Sequence, residues 1–422
     1  MRCDLGDFVI DLTGLALGPA SAVFADAPAR LEAASSALKS RFRSGEVGFY
    51  DHVETAESGI GAIESAAAEL RAGFQGALLF GIGGSHVGGA TLQEALGDTA
   101  RPFPVHWVSN ADPAAIAGAA AFARGRKIAA VVISKSGNTT ETMGAFFHFA
   151  RSVAPKGVVA ITDPDKGELR RIARALGWRA FDVPPNVGGR FSVLTAVGLF
   201  PAALSGHPAA EILAGAREMR RRLDGLAPGA NPAYLLAHAK HHWDTQHGRR
   251  VHYLMPYRSN LRRLAEWDVQ LWAESLGKIP RGGHGPGVGF TPIAALGTTD
   301  QHSQLQLMKE GPADKLVGFL DVAADDGPEI GRPPFDPGSL AYLCGHRFGE
   351  VSRLAGLATQ KSLANAGVPT FRIELAGLTP RALGGFFFFM ETACALAGEL
   401  YGVNAFDQPG VEEAKRLLRE SL

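Results

Sequence analysis

The stretch SKSGNTTET at residues 134–142 carries five hydroxyl side chains among nine residues. It follows the apolar run IAAVVI at 128–133, which predicts a buried strand, and a helix is predicted to begin inside it. Ligands of open parallel sheets lie beyond the carboxyl ends of the strands, and helix N-termini bind anions. Ser134, Ser136 and Thr139 would add hydroxyl donors. Because one helix cap needs only one hydroxyl, the pattern favours a phosphate site over plain capping.

Two glycine-rich loops are the next candidates. GIGGS at residues 81–85 follows a strand predicted at 77–80, and it is no dinucleotide fingerprint, because His86 stands where a third glycine is required. Either this loop is a tight turn, or its backbone approaches a ligand at which Ser85 points. GGRFS at 188–192 contains an arginine that is either a solvated surface residue or a group that stabilises an oxyanion.

A glutamate on the helix predicted at 261–276 is the candidate general base. Gln270 and Glu274 are four residues apart and share one face of this helix, and Asn260 is predicted to cap it. A helical glutamate is usually solvated. This helix, however, carries two tryptophans and ends in Gly-Lys rather than in a run of charges. Glu274 is therefore suited to proton transfer.

The remaining polar residues have simpler interpretations on their own. His302, in GTTDQHS at 297–303, lies in the first turn of a predicted helix, where a neutral imidazole can accept or donate a proton; a structural histidine is the simpler interpretation. Lys415 follows Glu412, which predicts a surface ion pair. No HExxH occurs, so no metal site is predicted. One group of histidines is interpreted as a solvated helix face, namely His238, His241, His242 and His247.

Composition restricts the class of protein. The chain has 422 residues, enough for two or three domains. Lys plus Arg and Asp plus Glu both total 42, so no global field favours nucleic acid or an acidic membrane. The three cysteines include no CxxC pair, which fits a reducing cytosol. Aspartates interrupt the first apolar stretch, unlike a signal peptide, and no run approaches the ~20 apolar residues of a membrane helix. We expect a soluble cytoplasmic protein.

Apolar strands alternate with helices along the chain. Strands are predicted at 77–80, 105–108, 128–133, 157–161 and 180–183, and in the second half at 251–255, 292–296, 315–320 and 370–374. The longer helices are predicted at 232–247, 261–276, 337–366 and 380–401. This alternation predicts an α/β fold with parallel sheets covered on both faces. A domain boundary is expected near residues 205–208.

Six motifs together resemble the phosphoglucose isomerase family, in the family's order. They are GIGGS, SKSGNTTET, GGRFS, QLWAESLGK at 270–278, GTTDQHS and NAFDQPGVEEAK at 404–415. The resemblance implies two sugar-isomerase (SIS) domains, each a flavodoxin-like αβα sandwich with a mainly parallel sheet. It divides the chain into an N-terminal segment, two SIS domains and a C-terminal helical segment, at 1–45, 46–205, 206–385 and 386–422. The length is similar to that of compact bacterial members.

The resemblance also implies a function. The family interconverts glucose 6-phosphate and fructose 6-phosphate in glycolysis and gluconeogenesis, without a cofactor and as a homodimer. By motif position, Glu274 would move a proton between C1 and C2, and Arg190 would stabilise the enediolate. His302, from the other subunit, would help to open the sugar ring with Lys415. The substrate would be bound by Gly84, Ser85, Ser134, Lys135, Ser136, Thr139, Gly189, Gln270 and Gln408.

Two departures from the family pattern leave details open. His86 stands where members often have an acidic or other residue, and Ser136-Gly137-Asn138 replaces the Thr-Phe-Thr of longer members. Three other functions are possible: a non-catalytic sugar-phosphate sensor, an isomerase of mannose 6-phosphate or an amino sugar, and a metal-dependent isomerase. A sensor would need only the phosphate loop, so the other motifs weigh against it.

Overall fold

Two β-sheets organise the chain. The computed structural model describes residues 1–422 apart from 19–21, 26, 101, 284 and 324–326. The chain begins with two strands and three helices that the sequence pattern had not indicated: β1 (Arg2–Asp4), β2 (Phe8–Asp11), α1 (Ala27–Arg43), α2 (Phe49–Thr55) and α3 (Glu57–Gly73).

The first sheet consists of five parallel strands. They are β3 (Gly76–Phe80), β4 (Val105–Val108), β5 (Ile128–Ile133), β6 (Val158–Thr162) and β7 (Arg179–Asp182). Their spatial order is β4-β3-β5-β6-β7. Numbered from the first strand of the sheet, this is the flavodoxin-like order, in which ligands bind where the order reverses. The connecting helices are α4 (Val87–Leu96), α5 (Pro113–Ala123), α6 (Thr140–Phe149) and α7 (Glu168–Leu176).

Both faces of this sheet are buried, which explains its continuous apolar strands. Along β3, Leu78 and Phe80 belong to one core cluster, where the Phe80 ring lies 5.5 Å from that of Phe146 on α6. Ala77 and Leu79 belong to the other cluster, on the opposite face. Successive side chains of a strand point to opposite faces, so the central strands β3 and β5 are buried at every position.

The second sheet combines four parallel strands with the two N-terminal strands. Strands β8 (Val251–Pro256), β9 (Thr291–Ala294), β10 (Lys315–Val322) and β11 (Thr370–Leu375) are parallel, and β2 adds to β11 in the antiparallel sense. The full order is β1-β2-β11-β10-β8-β9. The predicted α/β class with two mainly parallel sheets is confirmed. The remaining helices are α8 (Ala196–Leu204), α9 (Ala209–Asp224), α10 (Pro232–His247), α11 (Arg262–Leu276), α12 (Thr299–Glu310), α13 (Phe348–Asn365), α14 (Pro380–Tyr401) and α15 (Glu412–Ser421).

Helix α14 lies at the centre of the larger core. Its four phenylalanines at 386–389 are fully buried, and it packs against α9, α10 and α11. Among the described residues it is the one helix long and apolar enough to cross a membrane, but 89% of its apolar window is buried inside the protein. Such burial is typical of a core helix. Helix α14 continues without a break through residue 385, where a domain limit was predicted. Strands β1 and β2 of the predicted N-terminal segment belong to the second sheet. The predicted domain limits stay a prediction.

Three sequence-based interpretations are wrong. The helix predicted at 337–366 is divided, because Gly345 has a φ of +88° between the 3₁₀ helix Gly338–Leu343 and α13. Asn260 does not cap α11; its side-chain amide donates to the carbonyl of Ala95 at 3.1 Å. The histidines of α10 are not a solvated face, since His238 is 1% exposed and its Nε2 lies 3.0 Å from the Val23 carbonyl.

Candidate active site

The loop that follows β5 holds itself together with its own hydroxyl groups. Ser134 is buried, and its Oγ lies 2.9 Å from Oγ1 of Thr139. The same Ser134 oxygen accepts a hydrogen bond from the N–H of Gly137 at 3.1 Å. Gly137 has a φ of +69°, a conformation that favours glycine. The loop is therefore a preformed turn at the carboxyl edge of the first sheet.

The N-terminus of α6 keeps its first-turn N–H groups available. Thr139 is the N-cap residue, yet its side chain accepts no hydrogen bond from the helix. Ser136 is exposed, and its Oγ accepts from the N–H of Asn138 at 3.3 Å. The Asn138 side chain is used to fix the loop, because its Oδ1 accepts from the N–H of Glu168 at 3.0 Å. The side chain of Thr139 therefore does not cap α6, contrary to the capping interpretation. The available N–H groups make this helix end suited to binding an anion.

The GIGGS loop lies beside this turn because their strands are neighbours. Phe80 of β3 pairs with Val132 of β5, so both loops leave the same edge where the strand order reverses. Gly84 packs against the backbone of the GGRFS loop: a Cβ on Gly84 would lie 2.3 Å from the carbonyl carbon of Gly189. Position 84 therefore requires glycine because the two loops are in contact. The sequence analysis had considered only a tight turn or a close approach to a ligand.

Lys135 joins the hydroxyl-rich loop to the arginine loop. Its Nζ donates to the carbonyls of Pro185 and Val187, both at 2.8 Å. Burial lowers the pKa of Lys135, and the nearby Asp163 carboxylate opposes this effect. The ammonium therefore fixes the chain just before GGRFS while it lies next to Ser134 and Ser136.

Arg190 is buried at the meeting point of three motifs. Its side chain is 1% exposed, so the solvated-arginine interpretation is wrong. Nε donates to Ser275 Oγ at 2.8 Å, and Nη1 donates to Glu274 Oε2 at 3.3 Å and to Gln408 Oε1 at 3.5 Å. Nη2 donates to two backbone carbonyls, those of Ala405 and Asp407. Burial lowers the pKa of Arg190, whereas the charge of Glu274 acts to raise it.

Glu274 is held by two donors and is still accessible. Its Oε1 accepts from Gln270 Nε2 at 2.8 Å, as their spacing on α11 predicts, and its Oε2 faces Arg190. About a third of the side chain, 32%, is exposed. Glu274 lines a cavity of about 950 Å³ together with Gln408, Lys278, Val288 and Val411. A carboxylate with fixed orientation and an open approach can transfer a proton to or from a bound molecule.

The sequence of the chain identifies the family of this protein. The sequence model described as "Phosphoglucose isomerase" matches residues 68–331, which is more than half of the chain.

The chain belongs to the phosphoglucose isomerase family.

A curated relative agrees with this membership, and two solved structures share the fold. The chain is 38% identical to a glucose-6-phosphate isomerase of Carboxydothermus hydrogenoformans, over 90% of this chain and 85% of the relative. A crystal structure of a hypothetical protein from Thermus thermophilus has a TM-score of 0.87 at 32% identity and covers 98% of this chain and 99% of its own. A glucose-6-phosphate isomerase from Chlamydia trachomatis has a TM-score of 0.78 at 21% identity, over 100% and 89% of the two chains, a likeness of fold.

Two predicted site residues of this family member are exposed and lie outside the lining of the cavity beside Glu274. His302, on α12, is exposed. Lys415, on α15, forms the ion pair expected from the sequence, with its Nζ 2.7 Å from Glu412 Oε1, and half of its side chain is exposed. No side chain of α15 is buried. Neither residue lines the cavity beside Glu274.

His86 contributes an aromatic contact beside the GIGGS loop. Its ring lies edge-on to Trp107, with centroids 5.0 Å apart. Burial, assisted by the charge of Arg263, lowers the pKa of His86 to about 4, so the imidazole is neutral at physiological pH. In the described part of the chain, no group of three or more His, Cys, Asp or Glu side chains is arranged to hold a metal ion.

Sequence reasoning missed two residues that fix the site. Ser275 accepts from Arg190 Nε and is fully buried on α11. Lys278 follows α11, and its Nζ contacts the segment that leads to Gln408. Both lie inside the QLWAESLGK motif. Their position in the motif was the one signal available from the sequence, because their bonding partners lie 85 or more residues away in the chain.

Proposed function

We propose that this protein interconverts D-glucose 6-phosphate and D-fructose 6-phosphate through an enediolate, as its family membership and the Arg190–Glu274 arrangement together support. The observation that carries the proposal is a carboxylate whose Oε2 lies 3.3 Å from a buried guanidinium. An aldose–ketose shift moves one proton between adjacent carbons. The carbon that loses the proton leaves negative charge on oxygen, which a fixed cation stabilises.

The phosphate group of the substrate is proposed to bind at the N-terminus of α6. The first-turn N–H groups, the exposed Ser136 hydroxyl and the Ser134–Thr139 pair supply the donors. Lys135 belongs to the same loop, and Gly84, Ser85 and Gly189 belong to the neighbouring loops. Binding the phosphate at a distance from the reacting carbons gives free energy for positioning them.

The sugar carbons are proposed to lie beside Glu274. Glu274 removes the proton from one carbon and returns it to the next, while Arg190 faces the oxygen that becomes negative. Gln270 orients one carboxylate oxygen, and Gln408 accepts from the same Nη1 nitrogen of Arg190 as Glu274 does. The hydrogen leaves and returns as a proton on the same carboxylate, so the reaction needs no redox cofactor.

Ring opening is proposed to use His302 of a second copy, together with Lys415. His302 is exposed on α12, and large apolar side chains are exposed on and near α12 and α13: Leu307, Phe335, Leu340, Tyr342 and Phe348. Exposed apolar patches of this kind mark interaction surfaces. A homodimer would cover these side chains and bring His302 to the partner's site. We place this dimer in the cytoplasm, where sugar phosphates are metabolised.

Subunit mixing tests the shared site. His302→Ala and Glu274→Gln dimers should each be nearly inactive; mixed, dissociated and reassociated, they should regain about a quarter of wild-type activity, because half of the dimers carry one intact site. Coupled assays before and after exchange measure this. Two controls mix each variant with itself. No recovery after proven exchange would show that both residues act from one chain.

A coupled assay tests the reaction itself. Purified protein should convert fructose 6-phosphate into glucose 6-phosphate, detected with glucose-6-phosphate dehydrogenase, and it should not convert unphosphorylated fructose. Mannose 6-phosphate serves as the comparison for specificity at C2. Binding of fructose 6-phosphate without turnover would replace the isomerase by a sugar-phosphate sensor. Faster turnover of mannose 6-phosphate would reassign the substrate.

A further inference from the structure

Two cations hold one short segment of backbone at the wall of the cavity. Lys278 Nζ donates to the carbonyl of Asn404 and, at 2.7 Å, to that of Asp407. Arg190 Nη2 donates to the carbonyl of Ala405 and, at 2.8 Å, to the same carbonyl of Asp407. Backbone carbonyls of residues 404–407 therefore accept hydrogen bonds from both Lys278 and Arg190. We call residues 404–407 the clamped segment.

The Lys278 ammonium is also ion-paired with the segment that it holds. Its Nζ lies 2.9 Å from Asp407 Oδ1, and its side chain is 9% exposed. Burial lowers the pKa of Lys278, while the hydrogen bond to Asp407 acts to raise it. Burial acts to raise the pKa of Asp407, but Lys278, Asn404 and Arg190 together outweigh burial, and the pKa of Asp407 is lowered.

The clamped segment leads directly into proposed site residues. Gln408 follows Asp407 and lies against Arg190, and the chain then continues through the turn Pro409–Val411 into α15, which carries Lys415. Because α15 buries no side chain, its direction depends on the residues that precede it. Whatever fixes residues 404–407 fixes the start of this whole C-terminal part.

We propose that Lys278 is a positioning residue of the isomerase, holding the clamped segment so that Gln408 and Lys415 are placed for ring opening and proton transfer. This inference rests on the function proposed above. Lys278 acts through the segment, because its Nζ is engaged by two carbonyls of the segment and by the Asp407 carboxylate. Arg190 cannot replace it, because the guanidinium reaches the carbonyls of Ala405 and Asp407 but not that of Asn404. Without the ammonium, the Asn404 carbonyl loses its cationic partner and Asp407 its counter-charge.

Lys315 offers a matched control for a purely structural effect. It is also a buried lysine, whose Nζ donates to the carbonyl of Pro312 at 3.0 Å and pairs with Asp314. It lies at the first residue of β10, at the amino edge of the second sheet, whereas ligands of such sheets lie at the carboxyl edge. Lys315→Met therefore removes a similar set of bonds far from the clamped segment.

The experiment compares Lys278→Met and Lys315→Met in full-length protein. For Lys278→Met we expect kcat with fructose 6-phosphate to fall about tenfold to a hundredfold while KM changes less than about threefold, because a displaced reacting end misaligns the substrate but leaves the phosphate loop intact. Amide exchange at residues 404–411 should become faster in the same variant. Lys315→Met should leave kcat and this exchange unchanged, with a comparable loss of thermal stability.

Three results separate the possible failures. Normal kcat and unchanged exchange at 404–411 in folded Lys278→Met would overturn the inference. Equal losses of kcat in the two variants would overturn it as well, since they would report stability alone. If the wild-type protein does not isomerise the sugar, the proposed function fails, and the exchange measurement still decides whether Lys278 holds the clamped segment.

Discussion

Replacing Glu274 by glutamine should lower kcat by roughly a hundredfold to ten-thousandfold, the contribution of a positioned general base. A thousandfold loss corresponds to about 4 kcal/mol of transition-state free energy. An amide cannot take the proton from carbon, whereas the phosphate loop after β5 is untouched by the change. Binding of fructose 6-phosphate should therefore stay within about threefold of wild type, because ground-state binding and proton transfer use different groups.

Glutamine fits this position better than any shorter residue. Glu274 Oε2 accepts from Arg190, and a glutamine oxygen can accept the same bond. The new NH₂ group would face Gln270, whose Oε1 is buried with no hydrogen-bond partner. A flip of the Gln270 amide supplies an acceptor for it. The variant should keep its fold, so that a loss of activity reports the lost base.

Glu266→Gln is the matched control for this test. Glu266 lies two turns earlier on α11, is 43% exposed and pairs with Arg263 at 3.3 Å. An exposed ion pair of this kind contributes little, so kcat should be unchanged. Isomerisation assays give kcat, and calorimetric titration with fructose 6-phosphate gives binding. A Glu274→Gln variant with nearly normal kcat would show that another residue is the base.

The strands of both parallel sheets could be predicted from the sequence because their apolar pattern lies within a few consecutive residues. Strands such as β5 are apolar at every position, which follows from burial on both faces and is visible in six residues. The Gln270–Glu274 hydrogen bond follows from helical spacing in the same way. Both features need only residues that are close in the chain.

What the sequence concealed depends on contacts between distant segments. Arg190 looked like a surface residue because its partners at 405–408 lie 215 or more residues further on. β1 and β2 are short, and β2 pairs with a strand near the other end of the chain. His238 is polar by type but is 1% exposed and bonded to the Val23 carbonyl. Hydrophobic periodicity within one segment does not indicate contacts with residues that are distant in the chain.

The Arg190→Lys variant should lose activity by roughly a hundredfold to a thousandfold, similar to the removal of a donor to a developing oxyanion. The positive charge is kept, but one ammonium has three donors on a flexible stem, while the planar guanidinium has five in a fixed fork. Ser275, Glu274 and the two carbonyls of the clamped segment cannot all be bonded by lysine. The loss should appear mainly in kcat, because the charge opposite the oxygen is displaced and Gln408 is released.

The matched control for this variant is Arg372→Lys. Arg372 is 7% exposed on β11, and it bonds Gln360 at 2.7 Å and Asp321 at 3.2 Å. It is thus a buried arginine with a carboxylate partner, and it lies outside the proposed machinery. Thermal melts should show destabilisation of both variants, while kcat should fall only for Arg190→Lys. If the Arg190 variant is destabilised but turns over normally, the guanidinium has a packing role and the oxyanion must be stabilised by another group.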